Sequence, residues 1–359
     1  MTLIAQLSVN GAPFLVGDVL LSSESRTGLK VTLPLIGDIN QILADRGLPF
    51  EVAFAQKINV FDGRIAVAWS GPLIQAERAL RVIETLCSRT DLTADDVLAE
   101  LGAIDQSAVD KLQLIGLVLH EVRGTTVESS LFSLRVPPRS IPAFGQIFAA
   151  GSGRDAFLEM LPKADWLSPK SANAFQVAHG LLGALTNEEF RTGNTITNRW
   201  GGGFEALTFS EATRCFEKVG NVLHTFWRVT EDFDGPIGLL PFFYKTAYWR
   251  DALVIRAVRL EGSESLTLKA NDVLLIPPLL KDINDYDLGE LQTNFSYRAV
   301  CCHIEIKKTS NRDILFLIDQ RDGAQDFLFR MDDAKVEWQV SDYLPRIIRE
   351  QLANIATAD

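Results

Sequence analysis

The chain is poor in the residues that staple small domains together or bind metals in them. Its 359 residues include four cysteines (Cys87, Cys215, Cys301, Cys302) and four histidines (His120, His179, His224, His303). No CxxC spacing exists, adjacent Cys301 and Cys302 are badly placed to pair, and the histidines stand far apart in sequence. These absences argue against a disulfide framework and a structural zinc site, and for a reducing, cytoplasmic setting. Basic residues are short as well: 35 Lys+Arg stand against 46 Asp+Glu, a net charge of −11. A general nucleic-acid binder needs a basic face, and an anionic membrane attracts one, so neither partner is expected. No apolar run reaches the roughly 18 residues of a spanning helix. The start carries no basic leader and Asp18 interrupts the first apolar stretch, so no secretory signal is expected.

What is present is ample apolar material. Hydrophobic residues make up 47 % and charged residues 23 %, enough for a sizeable core. The length suits one large domain or two ordinary ones. Leu3–Val9 and Phe14–Leu21 read as a hairpin around Asn10-Gly11, where both turn positions favour positive φ. Residues 22–55 read as a loop-rich insertion with a short helix near Ile39–Asp45. A second hairpin, Ala55–Phe61 and Arg64–Trp69, turns at Asp62-Gly63. Helical spacing follows in Leu73–Cys87, with Pro72 suited to a first turn, and Thr93 caps a helix over Val97–Leu101. Strands are expected at Leu112–Glu121, Ser130–Val136, Gln146–Ala150 and Phe204–Phe209, and helices at Asp155–Leu161 and Ala172–Phe190. From about residue 214 the chain is β-rich and ends in an amphipathic helix, Tyr343–Ala353. Paired strands and paired helices without βα alternation predict an α+β, four-layer αββα sandwich over residues 1–213, with a β-rich extension over 214–359.

The candidate chemistry starts at position 2. Thr is small enough to allow removal of the initiator Met, which leaves a free α-amine on the residue that carries the hydroxyl. Such a residue can act as nucleophile and base together, and its amine, with a pKa near 7.7–8.0, is substantially neutral at physiological pH. Eight residues run out to Asn10-Gly11 and about eight run back, which returns Asp18 toward Thr2. A carboxylate among Leu15, Val16, Leu20 and Leu21 calls for a buried partner such as a lysine.

These residues resemble the proteasome β-subunit family of N-terminal-nucleophile (Ntn) threonine peptidases, including the bacterial proteasome-like peptidases. The likeness rests on Thr2-Leu3-Ile4, the Asn10-Gly11 turn, Gly17-Asp18, the strand and hairpin Lys57–Gly71, and Phe148–Gly153 with its Gly151-Ser152-Gly153 turn. It spans residues 2–209 in order. It implies Thr2 as nucleophile with its own amine as proton acceptor, Lys57 supplying positive charge beside the hydroxyl, and Asp18 orienting Lys57. It also implies that the Gly71 N–H helps form an oxyanion hole and that Ser152 bonds near the terminal amine. No metal or organic cofactor is implied. Ring-like self-assembly, a peptide or unfolded-protein substrate and an unfoldase partner are.

The pattern departs from the family in three places. Lys57 lies 55 positions after Thr2, across the insertion; Lys30 is nearer the family spacing in less similar surroundings. The family's second Asp and its Ser, expected near Thr197–Trp200, are not there: the residues are Thr197-Asn198-Arg199-Trp200. The extension has no counterpart in an ordinary β-subunit. Two other functions therefore stay open, a silent proteasome-like scaffold or sensor and a hydrolase of one small amide. The aromatic cluster Phe226-Trp227, Phe242-Phe243-Tyr244 and Tyr248-Trp249 reads as core, as do His120 and His303.

Overall fold

Asn10 and Gly11 take positive φ, 51° and 83°, and their turn lays the first strand against the second with Ile4 opposite Gly17. The rest of the N-terminal half is built around this hairpin. The computed structural model describes residues 2–24, 30–34, 36–105, 107, 109–122, 126–163, 172–229, 237–261, 267–287, 291, 297–306, 312–319, 327–332 and 335–356. Its elements begin β1 (Ile4–Val9), β2 (Ala12–Asp18), β3 (Leu20–Ser23), β4 (Thr32–Leu33), β5 (Gly37–Asp38), α1 (Ile39–Asp45), β6 (Glu51–Phe54), β7 (Ile58–Phe61) and β8 (Ile65–Ser70). There follow α2 (Leu73–Leu86), α3 (Ala94–Ala103), β9 (Gln113–Val122), β10 (Thr126–Leu134), β11 (Pro138–Ile141), β12 (Gly145–Ala150), α4 (Arg154–Met160), α5 (Ala174–Thr192), α6 (Asn194–Thr197), β13 (Phe204–Ser210) and β14 (Cys215–Val219). The C-terminal part holds β15 (Val222–Val229), β16 (Ile237–Trp249), β17 (Ala252–Glu261), β18 (Thr267–Ile276), β19 (Ala299–Ile306), β20 (Arg312–Asp319), β21 (Phe327–Asp332), β22 (Lys335–Val340) and α7 (Tyr343–Ala356).

The fold is mixed α and β. One sheet has the order β11-β12-β1-β2-β13-β14 and a second β10-β9-β8-β7. The period-2 alternation of strands decides how they stack. Leu3, Ala5, Leu7, Phe14 and Val16 share a core with Phe157 of α4 and with Val177, Leu181 and Leu185 of α5. Ile4 and Leu15 point the other way, onto Ile58, Ala66, Ala68, Ile115 and Leu117 of the second sheet. The far face of that sheet, with Val67, Trp69 and Leu114, packs on Leu80 and Ile83 of α2 and Val97 and Leu101 of α3.

The insertion carries more order than its composition suggests. β3 pairs with β6, β4 pairs with β5, and α1 lies where the short helix was expected. β9 and β10 form one long hairpin, so its second strand begins before Ser130. The first sheet runs on through β14 to Val219, past the division expected after residue 213. β14 joins because its backbone completes β13's open edge, which composition does not reveal.

A third sheet, β20-β19-β15-β16-β17-β18-β22-β21, makes up most of the extension. β16 and β18 were not expected as strands: Gly238 and Pro241 interrupt one pattern, and Lys269, Asn271 and Asp272 the other. One face of the sheet receives α7, whose Leu344, Ile348 and Leu352 are fully buried against Leu223, Trp227 and Val258. The opposite face sets Tyr244, Leu253, Ile255 and Ile276 on Val19, Phe54 and Phe190 of the N-terminal half. Phe190 meets Phe226, Phe242 and Tyr244 edge-on at 5.5, 5.7 and 5.3 Å, so much of the aromatic cluster is interface core. Among the described residues no helix is long and apolar enough to cross a membrane.

Truncating Ile348 to Ala removes a fully buried anchor of α7. The expected cost is about 2–5 kcal/mol, read as a lower midpoint in denaturant unfolding. A shift below about 0.5 kcal/mol would mean that α7 does not anchor the sheet.

Candidate active site

The β1–β2 register sets the site. The Asp18 N–H donates to the Leu3 carbonyl at 3.0 Å, which brings the Asp18 side chain level with Thr2. The Thr2 hydroxyl donates to Asp18 Oδ1, and Asp18 Oδ2 accepts the Gly201 N–H at 2.8 Å. Thr2 is 1 % exposed and Asp18 not at all. The Thr2 carbonyl accepts the Gly153 N–H at 3.2 Å. Gly151, at φ +92°, comes so close that a Cβ would stand 1.8 Å from that carbonyl oxygen. The Gly-Ser-Gly turn therefore grips the Thr2 backbone. Ser152 itself is exposed and donates to the Arg199 carbonyl at 2.8 Å.

Lys57 precedes β7 and is 1 % exposed. Its Cβ lies 3.4 Å from where a Gly17 side chain would begin, so it stands beside the Thr2–Asp18 pair despite the 55-residue separation. Its Nζ lies 4.1 Å from the centre of the Trp69 ring, a cation–π contact in a desolvated setting. Burial pushes the Asp18 carboxyl up and the Lys57 ammonium down, and the charge of each partly restores the other. Gly71 follows β8 at φ +126°, and the space where its side chain would project is filled by the Lys111 carbonyl.

Two further carboxylates, absent from the sequence-based site, close the arrangement. Glu189 of α5 is buried; its Oε2 accepts the Gly202 N–H at 2.6 Å and the Thr195 hydroxyl at 3.3 Å. Burial raises its carboxyl to about 7, opposed by these bonds and reinforced by the charge of Asp18. Gly201, Gly202 and Gly203 all have positive φ (100°, 76°, 118°), so consecutive N–H groups of one turn serve Asp18 and Glu189. A Cβ on Gly201 would sit 2.2 Å from Glu189 Oε2. No Asp or Ser occupies 197–200; the second carboxylate beside Asp18 comes from a helix. Within Thr186-Asn187-Glu188-Glu189 it looks like any solvated pair, and only the tertiary fold buries it.

Glu205 of β13 is fully buried and accepts the backbone N–H groups of Lys57 and Ile58 at 2.5 and 2.7 Å. Its other oxygen pairs with Lys218 Nζ at 2.5 Å and accepts the Tyr248 hydroxyl at 3.3 Å. Lys218 Nζ also donates to Gln56 Oε1 at 3.0 Å and to the Ile58 carbonyl. Gln56 Nε2 reaches the carbonyls of Asp251 and Ile276 in the C-terminal part, at 2.9 and 2.7 Å. This network fixes the Lys57 backbone and ties it to the third sheet. A carboxylate inside the apolar run Phe204–Phe209 was its one signal in the sequence.

Glu189 has a raised folded pKa, so its contribution to stability is complete below its ordinary value of 4.5 and is lost as pH rises through about 7. Glu189→Gln keeps an acceptor and removes the titration. The stability of the wild type relative to this variant should therefore fall by about 2–3 kcal/mol between pH 5 and pH 8. Denaturant unfolding at the two pH values reads the difference; an equal gap at both would show that Glu189 is already ionised at pH 5 in the folded protein and is not raised by burial.

No protein-family model matches the chain, and no curated protein does. Among solved structures it is similar to the Anbu (Gly-1) mutant from Hyphomicrobium sp. strain MC1, at 12 % identity and a TM-score of 0.37, over 61 % of this chain and 87 % of that one. It is also similar to eukaryotic HslV from Trypanosoma brucei, at 16 % identity and a TM-score of 0.31, over 57 % of this chain and 97 % of that one.

Proposed function

We propose that this chain is an N-terminal threonine hydrolase of amide bonds, most simply of peptides, built on a proteasome-like four-layer αββα sandwich. The observation that carries the proposal is the Thr2 hydroxyl hydrogen-bonded to buried Asp18, with the Lys57 ammonium stem packed alongside. In this mechanism Met1 is removed and Thr2 gains a free amine. Its Oγ attacks the substrate carbonyl while the amine takes the hydroxyl proton. Lys57 favours the developing alkoxide through its charge, and Asp18 orients the hydroxyl and sustains Lys57. The C–N bond breaks, the leaving amine takes up a proton, and water then hydrolyses the acyl ester. Gly71 would offer its N–H to the oxyanion, and Ser152 would hold the turn that grips Thr2. Asp18, where ionised, supplies negative charge beside Thr2 and so bears on the pH at which the amine works as a base.

One observation favours a second reading, a catalytically silent scaffold or sensor: Thr2 is 1 % exposed, so a substrate reaches it only when its surroundings move. A pocket for one small amide, walled by the insertion, is the third reading. Assembly into a ring, capture of unfolded chains, supply by an unfoldase and a cytoplasmic location belong to the first.

Intact mass combined with a threonine-directed electrophile, an epoxyketone or β-lactone, separates the readings. Loss of Met1 and a single adduct are expected. Thr2→Ala should abolish the adduct, and Lys57→Ala should slow it by about 100-fold or more, within the range attributed to one electrostatic group. A retained Met1, or a processed chain that stays unlabelled, would favour the scaffold over the threonine peptidase. Native mass spectrometry should show a closed oligomer; a monomer at micromolar concentration would rule out the ring.

A further inference from the structure

The face of the third sheet that meets α5 holds a cluster with no part in the threonine chemistry. β15 and β19 pair in parallel with His224 opposite Cys301 and Phe226 opposite His303. Residues 301 and 303 are two apart on one strand, so His224, Cys301 and His303 share a face. All three are buried, and one ligand atom from each lies within 4.8 Å of the others. The histidines stand 79 positions apart in sequence, and only the strand pairing joins them.

One donor atom is set by its neighbours. His303 Nδ1 meets Asn187 Oδ1 of α5 at 3.3 Å. A carboxamide oxygen only accepts, so Nδ1 carries the hydrogen and the His303 Nε2 lone pair points away, toward His224 Nδ1 at 3.0 Å. Phe226 stacks on His303 at 4.5 Å and Tyr244 meets His224 edge-on at 5.5 Å, which limits ring rotation. Two nitrogens on one tetrahedral zinc ion stand roughly 3.3 Å apart, and a nitrogen and a sulfur slightly more. The 3.0 Å between His224 Nδ1 and His303 Nε2 is close to that spacing, and Cys301, with its donor within 4.8 Å, closes the set by a side-chain adjustment.

We propose that His224, Cys301 and His303 form a site for a borderline-soft divalent cation, with zinc as the natural occupant, between the third sheet and α5. Two imidazole nitrogens and one thiolate match the zinc donor preference, and they leave a fourth position for water or an added ligand. Asn187 is the positioning residue that fixes the His303 tautomer, as outer partners of metal-bound histidines do. On binding, the Cys301 thiol gives up its proton to solvent, and the His224 proton shifts from Nδ1 to Nε2, so one proton is released per ion. Cys302, one residue on, points to the other face, with Sγ 3.5 Å from the Thr225 hydroxyl, and takes no part. Because the site is closed, the ion enters during folding or when the sheet lifts from α5. An ion there would pin β15 to β19, with Asn187 of α5 held against the site through His303.

The test uses the full chain. Metal content is measured on the protein as purified. It is then stripped with a chelator and titrated with Co²⁺, both folded and during refolding from denaturant, with folding followed by circular dichroism. One ion per chain and a near-ultraviolet thiolate-to-cobalt charge-transfer band are expected. Cys301→Ser should abolish the band and Asn187→Ala should weaken binding about 10–100-fold, while Cys302→Ser changes neither. A folded wild-type chain that takes up no cobalt by either route, or an equal loss in Cys302→Ser, would overturn the site and leave a hydrogen-bonded histidine pair. None of these readouts depends on Thr2.

Discussion

The N-terminal half is organised around carboxylates that have been taken out of water. Asp18, Glu189 and Glu205 are each almost wholly buried, and a buried carboxylate is tolerated only when its oxygens are satisfied or its charge is balanced. The chain meets that demand with backbone. The left-handed run Gly201–Gly203 turns its N–H groups onto Asp18 and Glu189, and the amides entering β7 turn onto Glu205. Lysines supply the balancing charge, Lys57 near Asp18 and Lys218 against Glu205. Removing one partner would strand the others, so the cluster is far more constraining than its few residues suggest.

The extension belongs to this arrangement. Gln56 and Lys218 carry the polar network across to Asp251 and Ile276, and Tyr244, Ile255 and Phe190 seal the same boundary with apolar surface. Lys57 therefore owes its position partly to a sheet whose strands come more than 160 residues later in the chain. The third sheet gains its own stability from α7 on its other face. It is thus a layer shared between two cores, and Ile255 closes it over Gly203.

Much of the local structure was legible. The Asn10-Gly11 turn, the alternation of β1 and β2, and the helical spacing in α2, α3 and α5 all express nearest-neighbour preferences. The pairing of Thr2 with Asp18 followed from counting residues around one turn. What escaped was non-local. Glu189 reads as surface until α5 docks, and β14 reads as the start of a new region until its edge meets β13. β16 and β18 hide behind Gly238, Pro241 and a polar stretch. The histidines look scattered because strand pairing between β15 and β19 spans about 80 residues.

The sequence by itself determined the hairpins, the helices, the acidic balance and the placing of a hydroxyl opposite a carboxylate at the first turn. Backbone sterics and side-chain period act over a few residues and need no partner to be read. The tertiary structure decided which charges are buried, which lysine stands beside Asp18, and which faces of the extension are covered. Those outcomes depend on desolvation, and desolvation belongs to whatever the rest of the chain brings alongside, not to a residue alone.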